Sequence, residues 1–504
     1  MKKLKSFIIV ISLIFGTFLS AELTLSWENF YGGENDDFIE RMLLLDDDNY
    51  LAVGHSESYG FGEWGKPDVW LAKLDVDGNI LWDRTYGEAD SSDKGYSIIE
   101  VNDGYMIAGE RSEDEVFLDG CGGLIIKVDF DGNEIWSKKY GGEQTDVFRS
   151  IHHSNDGNLI LSGVTKSYGA EFLDSWVVKI DPDGEVIWEQ VFGGSGYDIL
   201  NQVYPADDGG YIGIGFTNST GAGSYDVWVV KMDSLGEIEW EKTNGDVQSN
   251  RSNHFIKNSA GNYILTGLSR NDEGEKYMLV MELDPTNGEQ IWQNTYQLNN
   301  ESEGYFIEEL PYNQGYLIAG ENYNNMSGLY ISEGWVVKID TQGNILDNFF
   351  LHAAANSVCT TIKLNSSSKY IVTGSSRAGS YDVFDLWIRE LNDDELYIED
   401  SEKLIVNSEK LKQNYPNPFN PMTRINYELR ITNYEKVEIV VHNAMGQSVW
   451  STPVGAKNLL PGISATNSHG SIQFDGSKFN SGIYYYSLII NGQKMDTKSM
   501  ILIK

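Results

Sequence analysis

The sequence predicts an all-β protein, with a seven-bladed β-propeller closed by an N-terminal strand and a smaller β domain after it. Two observations predict this fold. Strand-like segments recur seven times at a nearly constant spacing, and one copy of the last segment of the repeat stands alone at the front of the chain. The composition agrees, because 52 glycines and 29 tyrosines in 504 residues suit short strands joined by tight turns.

The first repeated segment is a short apolar strand that ends in glycine. Its seven copies begin 52 to 55 residues apart, and they are Tyr50–Gly54, Tyr105–Gly109, Leu159–Gly163, Tyr211–Gly215, Tyr263–Gly267, Tyr316–Gly320 and Tyr370–Gly374. A second strand follows each copy, and these strands begin at Asp68, Gly122, Asp174, Asp226, Lys276, Glu333 and Asp385. One more strand-like run on either side of this pair makes four strands per repeat.

The last segment of the repeat is a turn glycine followed by a strand with tryptophan. The six glycines are Gly78, Gly132, Gly184, Gly236, Gly288 and Gly343, and the tryptophans are Trp82, Trp136, Trp188, Trp240 and Trp292. The sixth copy has Asp347 in that place, and the seventh copy is absent after Trp387. An equivalent segment ends at Trp27, and a strand displaced in this way closes a ring of blades without leaving an open sheet edge. A β-solenoid is the alternative, but it has shorter coils and would not displace its first strand.

The segment "DVDGN" at 75–79 resembles the start of a calcium loop. Its copies keep the glycine but not the second aspartate, as in "DSLGE" at 233–237. A calcium loop needs its oxygen ligands and a late glutamate, whereas a hairpin turn needs mainly the glycine. We therefore interpret the segment as a turn, with the following tryptophan packed between neighbouring blades.

The Gly-x-x-x-Trp pattern is clearest in "LDPTNGEQIW" at 283–292. It resembles the tryptophan-docking repeats of pyrroloquinoline-quinone dehydrogenases and their non-enzymatic propeller relatives. The resemblance covers only this hairpin of each repeat, and the calcium site and eight blades of those enzymes have no counterpart in the sequence. It implies the architecture and not the chemistry, so we expect no cofactor and no metal site.

The first 21 residues have the pattern of a secretory signal peptide. Lys2, Lys3 and Lys5 precede an apolar run, and small residues lead to an expected cleavage after Ala21. An uncleaved anchor is the alternative, but the run is short for a bilayer. No later segment is apolar enough to span a membrane in the mature chain.

Charge and cysteine content limit the partners and the compartment. The net charge of −38 disfavours nucleic acid and anionic lipid, and leaves cations, basic proteins and neutral glycans. Two cysteines do not form a disulfide framework, so we interpret Cys121 and Cys359 as small buried apolar residues, with a bridge as the minor alternative.

A charged stretch at 393–410 predicts a linker before a C-terminal domain at 411–504. That domain opens with a proline-rich motif and continues with strands and a hairpin that end at the last residue. The residues that define it are Asn414, Tyr415, Pro416, Asn417, Pro418, Phe419, Asn420, Pro421, Gly446, Gly482 and Lys504.

This combination resembles the type A C-terminal sorting domain of proteins carried by the type IX secretion system. The resemblance implies a small immunoglobulin-like β-sandwich and recognition by the secretion machinery. It also implies export from a Gram-negative bacterium to the extracellular space or the outer cell surface.

Two sets of residues are candidates for ligand binding. Asp37, Asp146 and Asp198 each lie thirteen residues before the start of the glycine-ended strand and form part of a predicted acidic ring near the mouth of the central channel. The same count gives Ser92, Asn250, Glu303 and Ser357 in the other repeats. Alternatively, each carboxylate caps backbone N–H groups of its own loop. The variable loops present aromatic residues that suit sugar rings or a protein surface, namely Tyr59, Trp64, Tyr323 and Tyr330. Alternatively, these side chains pack back on the blades.

Catalytic motifs are scarce. The seven histidines show no metal-ligand spacing, and there is no nucleophile elbow, phosphate loop or dinucleotide fingerprint. We therefore expect a secreted or surface-displayed binding or adhesion module with a glycan or protein ligand, and not an enzyme. Two alternatives stay open, namely a glycoside hydrolase-like enzyme with acidic residues on the loop face and a structural component of the cell envelope.

Overall fold

The structure is a computed structural model that describes most of the chain. It covers residues 24–60, 66–113, 120–169, 172–245, 247–297, 301–326, 329–351, 356–365, 369–377, 383–392, 410–411, 419–429, 437–443, 447–453, 468–490 and 493–504. Two compact units divide it, Met1–Ile398 and Glu399–Lys504. The expected signal peptide at 1–21 and most of the expected linker at 393–410 lie outside the described residues.

The first unit is all-β, apart from a short 3-10 helix at Pro311–Asn313. Its strands are β1 (Thr24–Tyr31), β2 (Asp37–Leu44), β3 (Tyr50–Ser56), β4 (Asp68–Leu74), β5 (Ile80–Tyr86), β6 (Ser92–Val101), β7 (Gly104–Ser112), β8 (Gly122–Val128), β9 (Glu134–Tyr140), β10 (Asp146–His153), β11 (Leu159–Thr165), β12 (Asp174–Ile180), β13 (Val186–Phe192), β14 (Asp198–Pro205), β15 (Tyr211–Thr217), β16 (Asp226–Met232), β17 (Ile238–Asn244), β18 (Ser249–Lys257), β19 (Tyr263–Arg270), β20 (Lys276–Leu283), β21 (Gln290–Tyr296), β22 (Glu301–Glu309), β23 (Tyr316–Met326), β24 (Leu329–Ile339), β25 (Ile345–Leu351), β26 (Ser357–Leu364), β27 (Tyr370–Arg377) and β28 (Phe384–Asn392).

These strands form seven four-stranded antiparallel sheets in the described part of the unit. Six sheets each use four consecutive strands, so that β2–β5 make sheet 1 and β22–β25 make sheet 6. Sheet 7 has the order β1-β28-β27-β26 and takes its fourth strand from the start of the chain. This organisation is consistent with the predicted β-propeller.

The core of the first unit lies between successive sheets. The second and third strands of a sheet are buried along nearly their whole length, because their sequences are continuous apolar runs. Leu51 and Leu71 of sheet 1, for example, share a cluster with Ile107 and Leu124 of sheet 2. The fourth strand of each sheet is largely exposed and becomes buried only at its last residue in strands such as β5 and β13.

Strand β1 replaces the missing fourth strand of sheet 7. Its residues Trp27 to Tyr31 pair with Glu390 to Leu386 of β28. The register of this pairing shifts after Leu25, and the pairing of a fourth strand such as β5 with its neighbour also shifts near the start of that strand. The Arg389 Nε donates to Glu28 Oε1 at 2.6 Å across this pairing.

Each tryptophan of the repeat contacts the turn glycine of the next sheet. A Cβ at Gly78 would lie 2.6 Å from the Trp27 ring, and one at Gly184 would lie 2.7 Å from the Trp136 ring. A tyrosine on the same strand completes several of these contacts, as where the Tyr86 hydroxyl donates to the Gly132 carbonyl at 2.7 Å. The glycine is therefore needed for the neighbouring indole as well as for its positive φ of 78° at position 78.

The turn "DVDGN" is organised by its first aspartate. The Asp75 carboxylate accepts hydrogen bonds from the backbone N–H of Asp77 at 3.0 Å and of Asn79 at 2.8 Å. The Gly78 N–H donates to the Asp75 carbonyl at 3.0 Å. Asp129 and Asp340 make the same contacts in their turns, so this carboxylate serves the hairpin.

The described part of the second unit contains seven strands in two sheets. The strands are β29 (Lys410–Leu411), β30 (Met422–Leu429), β31 (Val437–Asn443), β32 (Ser448–Pro453), β33 (Ser468–Asp475), β34 (Gly482–Ile490) and β35 (Gln493–Leu502). The sheet β29-β30-β33 and the sheet β32-β31-β34-β35 enclose one core, to which Ile425 and Phe474 contribute from the first and Tyr486 and Leu488 from the second.

Both cysteines are buried, and they form no disulfide in the structure, as the sequence predicts. Cys359 lies in the apolar cluster between sheets 6 and 7, and Cys121 lies in a smaller cluster with Val147 and Val164. In the described part of the chain, no helix is long and apolar enough to cross a membrane.

Replacing Gly78 with alanine is expected to destabilise the first unit by about 2–4 kcal/mol. The positive φ alone costs about 1–2 kcal/mol for an L-residue, and the collision with Trp27 adds the cost of overpacking. Gly157→Ala is the matched control, because Gly157 has a φ of 84° but a Cβ there would meet no atom within 4 Å, so it reports the strain alone. Urea unfolding followed by tryptophan fluorescence measures both, and equal losses in the two variants would contradict the packing role of Gly78.

Candidate functional site

Every innermost strand of the seven described sheets carries a β-bulge at an equivalent place. The ladder to the second strand skips one residue each time, and the skipped residues are Glu40, Tyr96, Arg149, Asn201, Asn253, Tyr305 and Thr360. A bulge bends its strand and turns one side chain away from the sheet. Here it selects one side chain per sheet.

All seven bulge residues line a single cavity of about 970 Å³. Some of the residues just before them, such as Phe148 and Leu200, are buried between the sheets. The bulge therefore turns one further side chain of each inner strand toward the cavity, next to positions that pack in the core. A volume of this size falls in the range of cavities that hold small ligands.

One side of the cavity is a cluster of charged groups from sheets 1 to 3. The Lys94 ammonium lies 3.2 Å from the Glu110 carboxylate, and the Arg149 guanidinium donates to Asn201 Oδ1 at 3.2 Å. Burial raises the pKa of Glu40, although the cations Arg41 and Lys94 act in the opposite direction.

The opposite side of the cavity centres on Glu321 of sheet 6. The hydroxyls of Tyr305 and Tyr323 both donate to its Oε1, the second at 2.8 Å. Burial raises the pKa of Glu321, and these two hydrogen bonds reduce the shift. The carboxylate thus holds two aromatic rings at the cavity wall.

Aromatic and uncharged polar side chains complete the wall. The Phe38 ring lies 5.0 Å from the His55 ring and 5.2 Å from the Phe384 ring. Burial lowers the pKa of His55 to about 3, so this imidazole is neutral at neutral pH even though its Nδ1 lies 3.7 Å from Glu40.

The three aspartates of the predicted acidic ring do not line the cavity. Asp37, Asp146 and Asp198 are at most 1% exposed. The Asp146 Oδ2 accepts hydrogen bonds from the Gly142 N–H at 2.7 Å and from the Ser167 hydroxyl at 2.6 Å. Asp37 and Asp198 accept equivalent bonds from Gly33 and Gly194. These contacts join each carboxylate to its own loop, which agrees with the capping alternative.

The structure also shifts the register of this ring by one residue in two sheets. Asp93 and Ser302 occupy the position equivalent to Asp37, where a fixed count back from the glycine-ended strand points to Ser92 and Glu303. The Arg111 Nε donates to Asp93 Oδ1 at 2.5 Å, and the Ser91 hydroxyl donates to Asp93 Oδ2. The connection between the first two strands differs in length in these sheets, so a constant spacing misplaces the residue.

Two of the four predicted loop aromatics, Tyr323 and Tyr59, have side chains that the structure describes, and they lie in different surroundings. Tyr323 lines the cavity, whereas Tyr59 is 44% exposed and donates its hydroxyl to the Gly32 carbonyl at 2.5 Å. The backbone of Tyr330 lies in β24, and Trp64 lies outside the described residues. Among the residues that the structure describes, no set of three or more His, Cys, Asp or Glu side chains is arranged to hold a metal ion.

Sequence reasoning missed the seven bulge residues. A signal for them exists, because each lies three residues after the buried position that Asp37 occupies in sheet 1. The residue type changes at every repeat, however, so a search for recurring residues passes over them.

In the second unit, the described part of the proline-rich motif joins the last strand. The Phe419 N–H donates to the Ile501 carbonyl at 2.9 Å, and the Ile503 N–H donates to the Phe419 carbonyl at 3.0 Å. The Phe419 ring is only 2% exposed and lies 5.9 Å from the Phe474 ring. The motif therefore fixes its aromatic side chain in the core between the two sheets.

Further predicted motif residues surround this contact. The Pro421 carbonyl accepts from the Gly476 N–H at 2.7 Å, and the Lys504 Nζ donates to the Ser477 carbonyl at 2.8 Å. Asn420 is exposed and Gly482 begins β34. Asn414, Tyr415, Pro416, Asn417, Pro418 and Gly446 lie outside the described residues.

Comparison with known families identifies the second unit. Residues 413–504 match the family model described as a secretion system C-terminal sorting domain. This confirms the predicted resemblance, and the domain marks the chain for export by type IX secretion to the cell surface or the extracellular space. It also implies contact with the secretion machinery.

Solved structures that are similar to the chain include several distant proteins. Quinohemoprotein alcohol dehydrogenase from Comamonas testosteroni is 11% identical, over 74% of this chain and 76% of that chain, with a TM-score of 0.40. Drosophila Semaphorin 2a is 6% identical, over 94% and 97% of the two chains, with a TM-score of 0.44. Puromycin hydrolase is 11% identical, over 78% and 59%, with a TM-score of 0.43. No curated protein sequence matches the chain.

Replacing Asp146 with alanine is expected to destabilise the first unit by about 3 kcal/mol, because it leaves the Gly142 N–H and two hydroxyls without their acceptor. Asp131→Ala in an exposed turn is the matched control, with an expected change below about 0.5 kcal/mol. Urea unfolding followed by tryptophan fluorescence is the measurement. A stable Asp146→Ala variant would show that the carboxylate is not a structural cap.

Replacing Phe419 with alanine is expected to loosen the second unit, because it removes a buried ring at a cost of about 3–5 kcal/mol. Hydrogen exchange of the full chain is the measurement, and amides of β34 and β35 should exchange at least about 100-fold faster. Tyr485→Ala on an exposed face of β34 is the control and should leave exchange unchanged. Undiminished protection in Phe419→Ala would contradict the anchoring role of this residue.

Proposed function

We propose that the chain is an exported, seven-bladed β-propeller that acts as a non-catalytic binding module, with its ligand site in the cavity lined by the seven bulge residues. The sorting domain delivers it to the cell surface or the extracellular space. In this proposal the regions are a signal peptide at 1–21, the propeller at 22–392, a linker at 393–410 and an immunoglobulin-like sorting domain at 411–504.

The proposal is supported by a difference in residue type between two sets of positions, those that shape every sheet (the framework positions) and those at the bulges. Framework positions repeat from sheet to sheet, as the turn glycines and the strand-ending glycines do. The bulge position instead carries glutamate, tyrosine, arginine, asparagine and threonine, all turned into one space. A residue that serves the fold recurs with the repeat, whereas seven residues of mixed chemistry around one cavity suit a particular ligand.

The chemistry of the wall supports a saccharide as the ligand. Sugars offer many hydroxyl groups and flat apolar ring faces, so they need carboxylates and amides as hydrogen-bonding partners and aromatic rings for packing. Glu40, Asn253 and Tyr305 supply these three kinds of group from three different sheets.

A second candidate function is hydrolysis of a glycan. It is favoured by the carboxyl groups of Glu40 and Glu321 in the cavity wall, because burial raises the pKa of each in the direction that a general acid for glycoside cleavage requires. Release of reducing ends from a bound glycan separates this candidate from pure binding.

Replacing Tyr305 with alanine is expected to weaken binding of any glycan found on an array by about 30-fold, because a central aromatic contact contributes about 2 kcal/mol. Calorimetry on the full mature chain measures the loss. Tyr59→Ala is the control, since Tyr59 is exposed and lies outside the cavity lining.

Three outcomes separate the alternatives. If only Tyr305→Ala loses binding, the result supports the cavity as the ligand site. If only Tyr59→Ala loses binding, the ligand site lies on the loop face instead. If the unaltered chain binds no glycan, the proposed function is contradicted, and the structural role in the cell envelope remains.

A further inference from the structure

We propose that the ligand of the cavity is an anionic saccharide, whose carboxylate or sulfate group is bound by the Arg149 guanidinium. The inference rests on the proposed function and specifies the substrate class for the same site. It differs from what the overall charge of the chain suggests.

The cavity has the opposite charge balance to the rest of the chain. Three carboxylates line it, Glu40, Glu110 and Glu321, against four cationic side chains, which are Arg41, Lys94, Arg149 and Arg377. The whole chain has 75 acidic and 37 basic residues, with a net charge of −38. Cationic side chains are thus concentrated at the one place where the inner strands meet.

Several of the charged groups in the cavity wall have partners within the wall. Lys94 pairs with Glu110, and Glu321 accepts from two tyrosine hydroxyls. Burial raises the pKa values of Glu40 and Glu321 and lowers those of Arg41 and Arg149, so it disfavours the charged forms of acidic and basic groups alike.

Arg149 differs from these groups. It is the bulge residue of β10, it is exposed to the cavity, and it donates a hydrogen bond to Asn201. Within the described part of the chain its guanidinium forms no ion pair with a carboxylate, although the field of Glu110 and Glu40 acts on it. A guanidinium has five N–H donors in a planar fork that matches carboxylate and sulfate oxygens, so most of its donors remain available for a ligand.

The acidic exterior does not prevent an anion from reaching this site. At physiological ionic strength, exposed charges are screened over about 8 Å, so carboxylates on the outer strands and outer turns contribute little inside the cavity. They do disfavour long polyanions that would have to lie along the surface. The charge distribution therefore favours a short anionic ligand.

The remaining wall favours a saccharide over a simple inorganic ion. The cavity of about 970 Å³ is far larger than one ion needs. Asn253 and Thr360 add polar groups, and Phe38 and Tyr96 add aromatic surface, on other sides of the same space. A ligand that reaches Arg149 and these groups together must combine an anionic group, hydroxyls and a ring face.

The first experiment probes a glycan array with the full mature chain. The array carries neutral, carboxylated and sulfated oligosaccharides, and it includes the methyl ester of each carboxylated glycan and the desulfated form of each sulfated one. We expect binding to acidic glycans and at least a tenfold loss of affinity when the charge is removed. Loss on esterification identifies a carboxylate, and loss on desulfation identifies a sulfate.

The second experiment measures the best acidic glycan by calorimetry with Arg149→Met, which keeps much of the length of the side chain but removes the charge. Affinity should fall at least tenfold and approach that of the uncharged glycan, whose own affinity should not change. Arg84→Met, an exposed arginine on β5 outside the cavity, is the matched control and should bind normally.

Two results overturn the inference and remain distinguishable from failure of the proposed function. If neutral glycans bind as tightly as acidic ones and the Tyr305→Ala variant still binds weakly, the cavity remains the site and the anionic ligand is rejected. Acidic glycans bound equally by Arg149→Met would reject the role of this residue. An array without any bound glycan rejects the proposed function itself.

Discussion

The contact between a tryptophan and the turn glycine of the next sheet is the interaction on which the first unit depends. Each described copy joins the outer strand of one sheet to the outer hairpin of its neighbour, far from the inner strands. The indole needs a flat surface without a Cβ, and the hairpin needs a residue with positive φ. One glycine satisfies both requirements, so the spacing between sheets is set by a pair of residues at the periphery.

This contact also explains an irregularity of the repeat. Sheet 7 has no outer hairpin, because its fourth strand comes from the start of the chain. The outer strand of sheet 6 thus has no turn glycine to contact, and Asp347 stands where the other copies have tryptophan. At the front of the chain, Trp27 contacts Gly78 of sheet 1. The missing glycine and the replaced tryptophan are two results of one rearrangement.

The repeated architecture could be predicted from the sequence because it depends on residues that recur, such as Gly78 and Trp82. Export could be predicted from the proline-rich motif and the lysine-ended last strand, and the family match confirms it. The cavity lining could not be predicted in the same way. Glu40 and Arg149 face the cavity because a bulge turns them out of the ladder, and a bulge is set by backbone pairing and not by residue type. A fixed count along the chain also misses Asp93 and Ser302, because connections between strands vary by one residue.

The strand borrowed from the start of the chain has a consequence for the order in which the protein forms. Glu28 and Arg389 meet across a separation of 361 residues, so the last sheet cannot be completed until almost the whole first unit is present. Contacts of such long range form slowly, and until then β1 and β28 each present an unpaired edge. Two chains that reach this stage side by side could exchange their first strands and become linked as a dimer. The pairing of β1 with β28 is therefore a point at which an exported chain is exposed to misassembly before it acts.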